Sequence, residues 1–259
     1  MTAMTPLLQT RQLRVHIAGK TICRALDLDI ESGQCWGILG SNGIGKTTLL
    51  HTLAGLRATA AGTVLLDGKA LTELPRRRIA KHIGVLFQDA SDAFPDAVLN
   101  TVLIGRHPHL TAWGFETDED IAIARHALAA TGLEGIEQRL ISTLSGGERR
   151  RVALATLIAQ DPTLYLLDEP VNHLDLHQQI AALELLTNKT RSNNKGLVMT
   201  VHDVNLAARF CDHALLLFGN GEVLQGPVGL VLNTTNLQQL YNHPIVSVTG
   251  PQGNVFLPG

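Results

Sequence analysis

The stretch "GSNGIGKTTLL", which runs from Gly40 to Leu50, constrains the fold of this chain more than any other. The apolar run "QCWGILG" that leads into it predicts a buried strand, and "TTLLHTLAGL" predicts a helix with Leu49, Leu53 and Leu56 along one face. The segment "GSNGIGKT" fits the pattern GxxxxGK(S/T), whose glycines let successive backbone N–H groups turn toward a phosphate chain. A strand, a glycine loop and a helix in this order predict a loop that holds a nucleoside triphosphate.

The polar groups of this loop have distinct predicted roles. Lys46 would reach the β- and γ-phosphates, the hydroxyl of Thr47 would ligate Mg²⁺, and the positive N-terminal end of the helix would face the phosphate charge. A glycine turn beside a surface lysine is the alternative, and the strand before and the helix after argue against it. The predicted nucleotide-binding residues of the loop are Gly40, Ser41, Asn42, Gly43, Ile44, Gly45, Lys46, Thr47 and Thr48.

Two adjacent carboxylates follow the apolar run in "LYLLDEP". Asp168 is placed at the end of a predicted strand, where it can hold Mg²⁺ through water, and Glu169 could polarise an attacking water. Alternatively, both acids only cap the next turn. Phosphoryl transfer to water needs one group for the metal and another for the nucleophile, so the pair predicts hydrolysis rather than transfer to a bound acceptor.

Short apolar runs alternate with helical patterns along the chain, which predicts an α/β fold. The runs "IGVLFQD", "TLYLLDEP" and "GLVMTVHD" each end in polar residues, as parallel strands that feed one active edge would. Antiparallel hairpins are predicted at Asp67-Gly68 and at Asn220-Gly221. Between the first two apolar runs, about 70 residues of mostly helical pattern predict an inserted helical subdomain.

Length and charge exclude several classes of protein. A chain of 259 residues with 45% hydrophobic content suits one packed domain, and a net charge of −2 argues against a nucleic-acid partner. No apolar run approaches the roughly 20 residues that span a bilayer, and the first residues lack the apolar core of a signal peptide. We therefore expect a cytoplasmic chain. Cys23, Cys35 and Cys211 form no CxxC pair and are predicted to be small buried hydrophobes.

A second anion-binding helix start is predicted in "LSGGERRRVALATLIAQ", from Leu144 to Gln160. One site cannot easily use two such loops on the same γ-phosphate, but two chains packed head to tail could each lend this loop to the nucleotide of the other. In the run Arg149 to Arg151, one arginine is predicted near phosphate and the others in solvent.

The ordered motifs resemble those of the ATP-binding cassette (ABC) transporter ATPases over nearly the whole chain. They are the phosphate loop, Gln88 in "LFQD", "LSGGE", "LYLLDEP", "HLD" ending at Asp175, and His202 in "TVHD". The resemblance implies a P-loop NTPase of the ABC type, with a RecA-like core, an antiparallel β subdomain and an inserted α-helical subdomain. In a single domain 1–259, the core with its β subdomain would span about 1–88 and 161–225, the helical subdomain about 89–160, and a short tail about 226–259.

The resemblance also implies a role for each motif residue. Gln88 would sense Mg²⁺ and the transmembrane partner, Asp175 would link the two sites, and His202 would contact the γ-phosphate. The signature residues, which would bind the γ-phosphate of the opposite subunit, are Leu144, Ser145, Gly146, Gly147 and Glu148. The implied catalytic residues are Lys46, Gln88, Glu169 and His202, and the implied Mg²⁺ residues are Thr47, Gln88 and Asp168.

One position departs from the family pattern. Where these ATPases usually carry an aromatic residue that stacks on adenine, "LRVHIAGK" places Ile17. Isoleucine gives apolar contact without π-stacking, and the adjacent His16 is predicted to point to the other face of the strand. ATP remains the predicted nucleotide, with weaker selection of the base.

A narrower resemblance lies in "VLIGRHPHL", "GFETDED" and "NHLDLHQQ", which are similar to the ATPases of metal-chelate importers. It implies a homodimer that hydrolyses ATP with Mg²⁺ and energises uptake of cobalamin or a ferric siderophore, or of haem. The implied partners are two transmembrane permease subunits and an external substrate-binding protein, with the ATPase peripheral at the cytoplasmic face of the inner membrane. The alternative is a soluble ABC-superfamily ATPase of translation or DNA maintenance. Those proteins usually carry two cassettes or split one around a coiled coil, whereas this cassette is single and unbroken.

Overall fold

The structure is a computed structural model, which describes residues 5–88, 96–111, 114–250 and 253–259. The predicted start of the helical subdomain, residue 89, lies outside these ranges. The strands are β1 Leu8–Ile17, β2 Lys20–Ile30, β3 Cys35–Leu39, β4 Ala61–Leu66, β5 Lys69–Ala70, β6 Ile83–Leu86, β7 Leu164–Leu167, β8 Gly196–Thr200, β9 His213–Leu217, β10 Val223–Pro227, β11 Ile245–Gly250 and β12 Gly253–Pro258. The helices are α1 Lys46–Leu53, α2 Arg76–His82, α3 Val98–Leu103, α4 Asp118–Ala130, α5 Gly146–Gln160, α6 Leu176–Ser192, α7 Val204–Phe210, α8 Val228–Val231 and α9 Thr234–Tyr241.

A six-stranded sheet with the order β10-β9-β3-β8-β7-β6 forms the centre of the fold. Neighbouring strands from β9 to β6 run parallel, and β10 is antiparallel to β9. Strands β6, β7 and β8 are the three apolar runs expected to share an edge, and they are neighbours in the sheet. The prediction that their polar C-terminal residues meet is therefore confirmed at the level of topology.

Apolar side chains cover both faces of this sheet. Alternate residues of β3 divide between two cores, with Cys35 and Leu39 on one face and Trp36 and Ile38 on the other. Helices α6 and α7 pack on the first face, whereas α1 and the antiparallel sheet β2-β1-β4-β5 cover the second. Because both faces are buried, the central strands are apolar runs without polar alternation.

The two predicted hairpins differ in their turns. Asp67 and Gly68 both have positive φ, at 49° and 75°, as a two-residue type I′ turn requires, so this hairpin is confirmed. The hairpin at Asn220-Gly221 forms, but its last paired residues are Leu217 and Val223, so a longer loop replaces the predicted two-residue turn. In that loop the N–H of Phe218 still donates to the carbonyl of Glu222, at 3.2 Å.

Helix α1 ends earlier than its leucine pattern predicts. Leu49 and Leu53 are fully buried in the core, whereas Leu56 is 51% exposed. The helix stops at Leu53, and Gly55 adopts a left-handed φ of 68°. The prediction that Leu56 continues the buried face is therefore wrong, because this residue lies beyond the glycine turn.

The helical segment between β6 and β7 has its own apolar core, formed by α3, α4 and α5. Capping boxes begin both of its longer helices: Thr117 with Asp120 at α4, and Ser145 with Glu148 at α5. Arg106 donates from Nε to Asp120 Oδ1 at 2.8 Å and from Nη1 to the carbonyl of Ala159 at the same distance, which joins the segment before α4 to α5.

The last segment of the chain folds onto the core. Leu237 and Leu240 of α9 and Phe256 of β12 are buried in the same cluster as the first face of the central sheet. Asn205 of α7 exchanges two hydrogen bonds with the backbone of Phe256, and Ser41 Oγ donates to the carbonyl of Leu240 at 3.4 Å. This segment therefore supports the phosphate loop and the start of α7 from behind.

The three cysteines are buried and free of disulfides, as predicted. Burial raises the pKa of Cys23 to about 11 and that of Cys35 to about 12, so both remain neutral thiols. None of the helices in the described part of the chain combines the length and the apolar character needed to span a bilayer.

Candidate active site

The phosphate loop connects β3 to α1 and opens into a cavity of about 560 Å³. The backbone at Gly45 has a φ of 113°, and a Cβ built there would lie 2.4 Å from Ile22 Cδ1, so only glycine fits. Gly43 also has positive φ, at 69°, and a Cβ on it would meet nothing within 4 Å. Glycine is thus required at Gly45 by both packing and conformation, and at Gly43 by conformation alone.

The cavity brings together most of the predicted site residues. Those that line it are Ile17, Asn42, Gly43, Ile44, Gly45, Lys46, Thr47, Thr48, Gln88, Glu169 and His202, together with Lys20, Ile22 and Asn172, which were not predicted. Gly40, Ser41 and Asp168 are not among the lining residues. The carbonyls of Gly40 and Ser41 accept hydrogen bonds from Lys46, and Asp168 is fully buried.

Lys46 is buried, and its ammonium group is held by the loop itself. Nζ donates to the carbonyls of Gly40 and Ser41 at 2.8 and 3.3 Å. Burial lowers its pKa, and the nearby carboxylates of Glu169 and Asp168 oppose that shift. A nucleotide phosphate would offer this cation a stronger partner than two neutral carbonyls.

Asp168 is fully buried at the end of β7. Its Oδ1 accepts a hydrogen bond from Thr200 Oγ1 at 2.7 Å, but Oδ2 is buried without a hydrogen-bond partner within the described residues. An unsatisfied buried carboxylate oxygen is costly unless it binds an ion or ordered water. Together with Thr47 and Gln88 on the cavity wall, it fits Mg²⁺, which prefers oxygen ligands and keeps several waters.

Glu169 is the most constrained residue of the site. It adopts a left-handed φ of 47°, uncommon outside glycine, and its N–H donates to Thr200 Oγ1 at 2.9 Å. Three side chains contact its carboxylate: Gln88 Nε2 donates to Oε2 at 3.1 Å, Asn172 Nδ2 also donates to Oε2, and His202 Nε2 contacts Oε1. The strand ends of β6, β7 and β8 thus converge on one carboxylate.

Around Ile17, where the nucleobase was predicted, the side chains that line the cavity include two isoleucines. Ile17 and Ile22 line it beside Lys20. His16 is exposed and contacts Thr21 Oγ1 at 3.2 Å, outside the residues that line the cavity. The ring of His16 therefore does not replace the aromatic residue that is missing at Ile17.

The signature residues lie outside this cavity in the single chain. Ser145 and Glu148 form the capping box that begins α5, and Leu144 before them is buried. Hydrogen bonds from Ser145, first of all from its backbone N–H, lower the pKa of Glu148. Asp175 caps α6 by accepting from the N–H of Gln178 at 2.8 Å. A Cβ built on Gly147 would lie 3.4 Å from the carbonyl of His173, so the signature helix begins against the segment that leads to Asp175.

In the run Arg149 to Arg151, one unspecified arginine was predicted near phosphate and the others in solvent; Arg150 is not solvated but buried. It is 5% exposed, and its guanidinium reaches the backbone that follows both β6 and β7. It donates to the carbonyls of Phe87, Gln88, Asp168, Glu169 and Pro170, at distances from 2.6 to 3.2 Å. Helix α5 is thereby tied to the ends of β6 and β7.

The family model described as ABC transporter matches residues 23–172, which is more than half of the chain. The chain belongs to the ABC transporter family. The prediction of an ABC-type α/β fold is therefore confirmed, as is the resemblance on which it rested.

Relatives of known name give the same family. The iron(3+)-hydroxamate import ATP-binding protein FhuC of Bacillus subtilis is 35% identical over 248 residues, which cover 95% of this chain and 92% of that protein. The cobalamin import ATP-binding protein BtuD of Halobacterium salinarum is 40% identical over 211 residues, 82% of this chain and 52% of that protein. This ABC chain thus spans about half the length of the Halobacterium relative.

Solved structures of ABC proteins superpose on nearly the whole chain. A metal-chelate type ABC transporter in an inward-facing conformation has a chain that is 28% identical, with a TM-score of 0.84 over 98% of this chain and 97% of that one. An ATP-binding cassette in a dimeric post-hydrolysis state, bound to ADP and Pi, is 25% identical, with a TM-score of 0.74 over 85% and 98% of the two chains.

Proposed function

We propose that this chain is the ATP-hydrolysing subunit of an ABC importer. The observation that carries the proposal is the position of Glu169, whose carboxylate lies at the cavity of the phosphate loop beside Gln88 and His202. A carboxylate held there can orient and deprotonate a water, while the loop binds the phosphates that this water attacks.

In this mechanism the residues divide the work. Lys46 exchanges its two carbonyl partners for the β- and γ-phosphates, and the N–H groups at the start of α1 face the phosphate charge. Thr47, Gln88 and Asp168 would hold Mg²⁺, Asp168 through water, and the ion supplies positive charge that neutralises the phosphates. Glu169 is the general base, and His202 turns from Glu169 to the γ-phosphate.

A second chain completes each site in this proposal. The signature residues from Leu144 to Glu148 lie outside the cavity of their own chain, and Ser145 presents the N-terminus of a long helix, which favours an anion. Asp175 would link the two sites, because the segment before it packs against Gly147. The dimeric state of the similar cassette supports a homodimer.

The proposed cargo is a metal chelate, with cobalamin or a ferric siderophore favoured over haem. The cobalamin and iron(3+)-hydroxamate importers named above, and the metal-chelate type of the similar transporter, support this class. The cargo would pass through two permease subunits after delivery by an external binding protein, and the ATPase would sit peripherally at the cytoplasmic face of the membrane. The alternative roles in translation or DNA maintenance gain no support from these relatives.

Glu169→Gln tests the role of the general base. The amide keeps the shape of the side chain but cannot accept the proton of water, so this variant should bind ATP, hydrolyse it at least about 100-fold more slowly and accumulate as a dimer. Gel filtration with ATP and Mg²⁺ and a phosphate-release assay measure the two effects. A variant that stays monomeric and turns over at a normal rate would remove Glu169 from this role.

Mixing two defective variants tests whether each site is shared. Lys46→Ala disables the phosphate loop and Ser145→Arg blocks the signature loop, so each variant alone forms dimers with two broken sites. A mixed dimer contains one intact site, because the loop of the Ser145→Arg chain meets the signature of the Lys46→Ala chain. Light scattering with ATP should therefore detect dimers only in the mixture. If Ser145→Arg alone dimerises and hydrolyses ATP normally, the shared site is refuted.

A further inference from the structure

Asn172 lies in the turn after β7 and lines the nucleotide cavity. It begins the segment "NHLDLHQQ", but no role was assigned to it from the sequence. Its Nδ2 donates to Glu169 Oε2, and its backbone N–H donates to the carbonyl of Glu169 at 3.2 Å. The asparagine is thus bound to the same residue through both its backbone and its side chain.

The other two groups on this carboxylate have competing duties. Gln88 and His202 also contact Glu169, but in the proposed function both turn to the nucleotide, Gln88 to Mg²⁺ and His202 to the γ-phosphate. When they do so, the carboxylate loses two of its three contacts at the moment it must act. Asn172 has no such assignment, and the hydrogen bond from its backbone N–H to the Glu169 carbonyl holds it beside this residue.

We propose that Asn172 is the positioning residue that keeps the Glu169 carboxylate oriented as general base once nucleotide has drawn Gln88 and His202 away. The inference rests on the proposed role of Glu169. A glutamate side chain loses rotamer entropy when it is fixed, so it stays ordered only if a lasting contact offsets that cost. A hydrogen bond from a neutral amide to an ionised carboxylate is of the strong, charge-assisted kind.

The choice of an amide has a chemical reason. Asparagine donates at every pH and does not take the proton that Glu169 removes from water. The backbone of Glu169 is already held by Thr200, so Asn172 has only the side chain left to orient. An aspartate at this position would place a second negative charge beside the Glu169 carboxylate and repel it instead of donating to it.

Asn172→Ala and Asn172→Asp test the proposal in steady-state ATP hydrolysis. For Asn172→Ala we expect kcat to fall about 10- to 30-fold, KM for ATP to stay within about threefold, and ATP-dependent dimerisation to persist, because binding is untouched. For Asn172→Asp we expect a larger loss of kcat, again with little change in KM, because the second carboxylate repels that of Glu169 instead of holding it. Asn193→Ala is the matched control, since Asn193 is an exposed asparagine at the end of α6.

Two results would overturn the inference. One is an Asn172→Ala variant with normal kcat. The other is a parallel loss of kcat, ATP affinity and melting temperature in both variants, which would show that Asn172 only supports the fold. The proposed function fails separately, through normal hydrolysis by Glu169→Gln, so the two failures are distinguishable.

Discussion

Replacing Arg150 by methionine should destabilise this protein more than any other substitution of an arginine in its signature helix. Methionine keeps much of the volume but removes all the donors that reach the carbonyls of Phe87, Gln88, Asp168, Glu169 and Pro170. The site is 5% exposed, so water cannot replace those donors without opening the fold.

The magnitude follows from the contacts. A buried acceptor that loses its donor costs about 1 to 3 kcal/mol, and several carbonyls lose theirs at once, so we expect a total loss of about 3 to 5 kcal/mol. Set against a typical free energy of unfolding of about 5 to 15 kcal/mol, this is a large fraction. Arg150→Lys should lose roughly half as much, because a single ammonium cannot reach both strand ends as a planar guanidinium does.

Urea unfolding of the three proteins measures the free energy of unfolding, and ATP turnover measures the site. Arg151→Met is the matched control, because Arg151 is only partly buried and bonds two carbonyls of the turn after α4. Its loss should stay near 1 kcal/mol. If the free energy of unfolding of Arg150→Met lies within about 1 kcal/mol of that of the parent protein and ATP turnover is normal, the hydrogen bonds of Arg150 do not hold the site together.

Two further predictions concern the nucleobase and pH. Ile17→Tyr should tighten binding of both ATP and ADP by at most the value of one aromatic stack, about 1 to 3 kcal/mol, in titrations with labelled nucleotide; unchanged affinity would mean that another residue covers the base. Hydrogen bonds from the Thr117 backbone and from Arg106 lower the pKa of Asp120 to about 2 from an ordinary 3.8. Because the folded pKa is the lower one, Asp120 stabilises the fold above the ordinary value, and this contribution is lost as pH falls from about 4 through about 2. Asp120→Asn should reduce the dependence of the melting temperature on pH over that range. A slope of melting temperature against pH equal to that of the parent protein would contradict the assignment.

The convergence of the strand ends could be predicted from the sequence alone. Parallel strands present their carboxyl ends at one edge, so runs that end at Gln88, Asp168 and His202 had to meet if they were neighbours. The structure makes them neighbours and adds one contact that no strand pattern contains. Asn172 reaches Glu169 through a turn whose conformation depends on the left-handed backbone of Glu169 itself, and sequence periodicity carries no signal for that.

The position of Arg150 could not be predicted for a different reason. Three consecutive arginines at a helix start look like a solvated face, and which of them turns inward depends on the phase of the helix against the core. The spacing does place Arg150 on the buried face, because it lies four residues before the buried Leu154 and residues four apart share one face of a helix. A buried arginine nevertheless needs acceptors, and those come from two strands distant in sequence.

These contacts constrain Glu169, the proposed general base, in two ways. The backbone of Glu169 is held from three sides, with its N–H on Thr200 and its carbonyl on both Arg150 and the N–H of Asn172. Its carboxylate, in contrast, is contacted by Gln88 and His202, which in the proposed function also turn to the nucleotide. Nucleotide binding should therefore rearrange side chains around a fixed Glu169 backbone. Arg150 belongs to α5 and donates to the carbonyls of Asp168 and Glu169. If a partner chain moved the signature helix, these hydrogen bonds would transmit the movement to the backbone of Glu169.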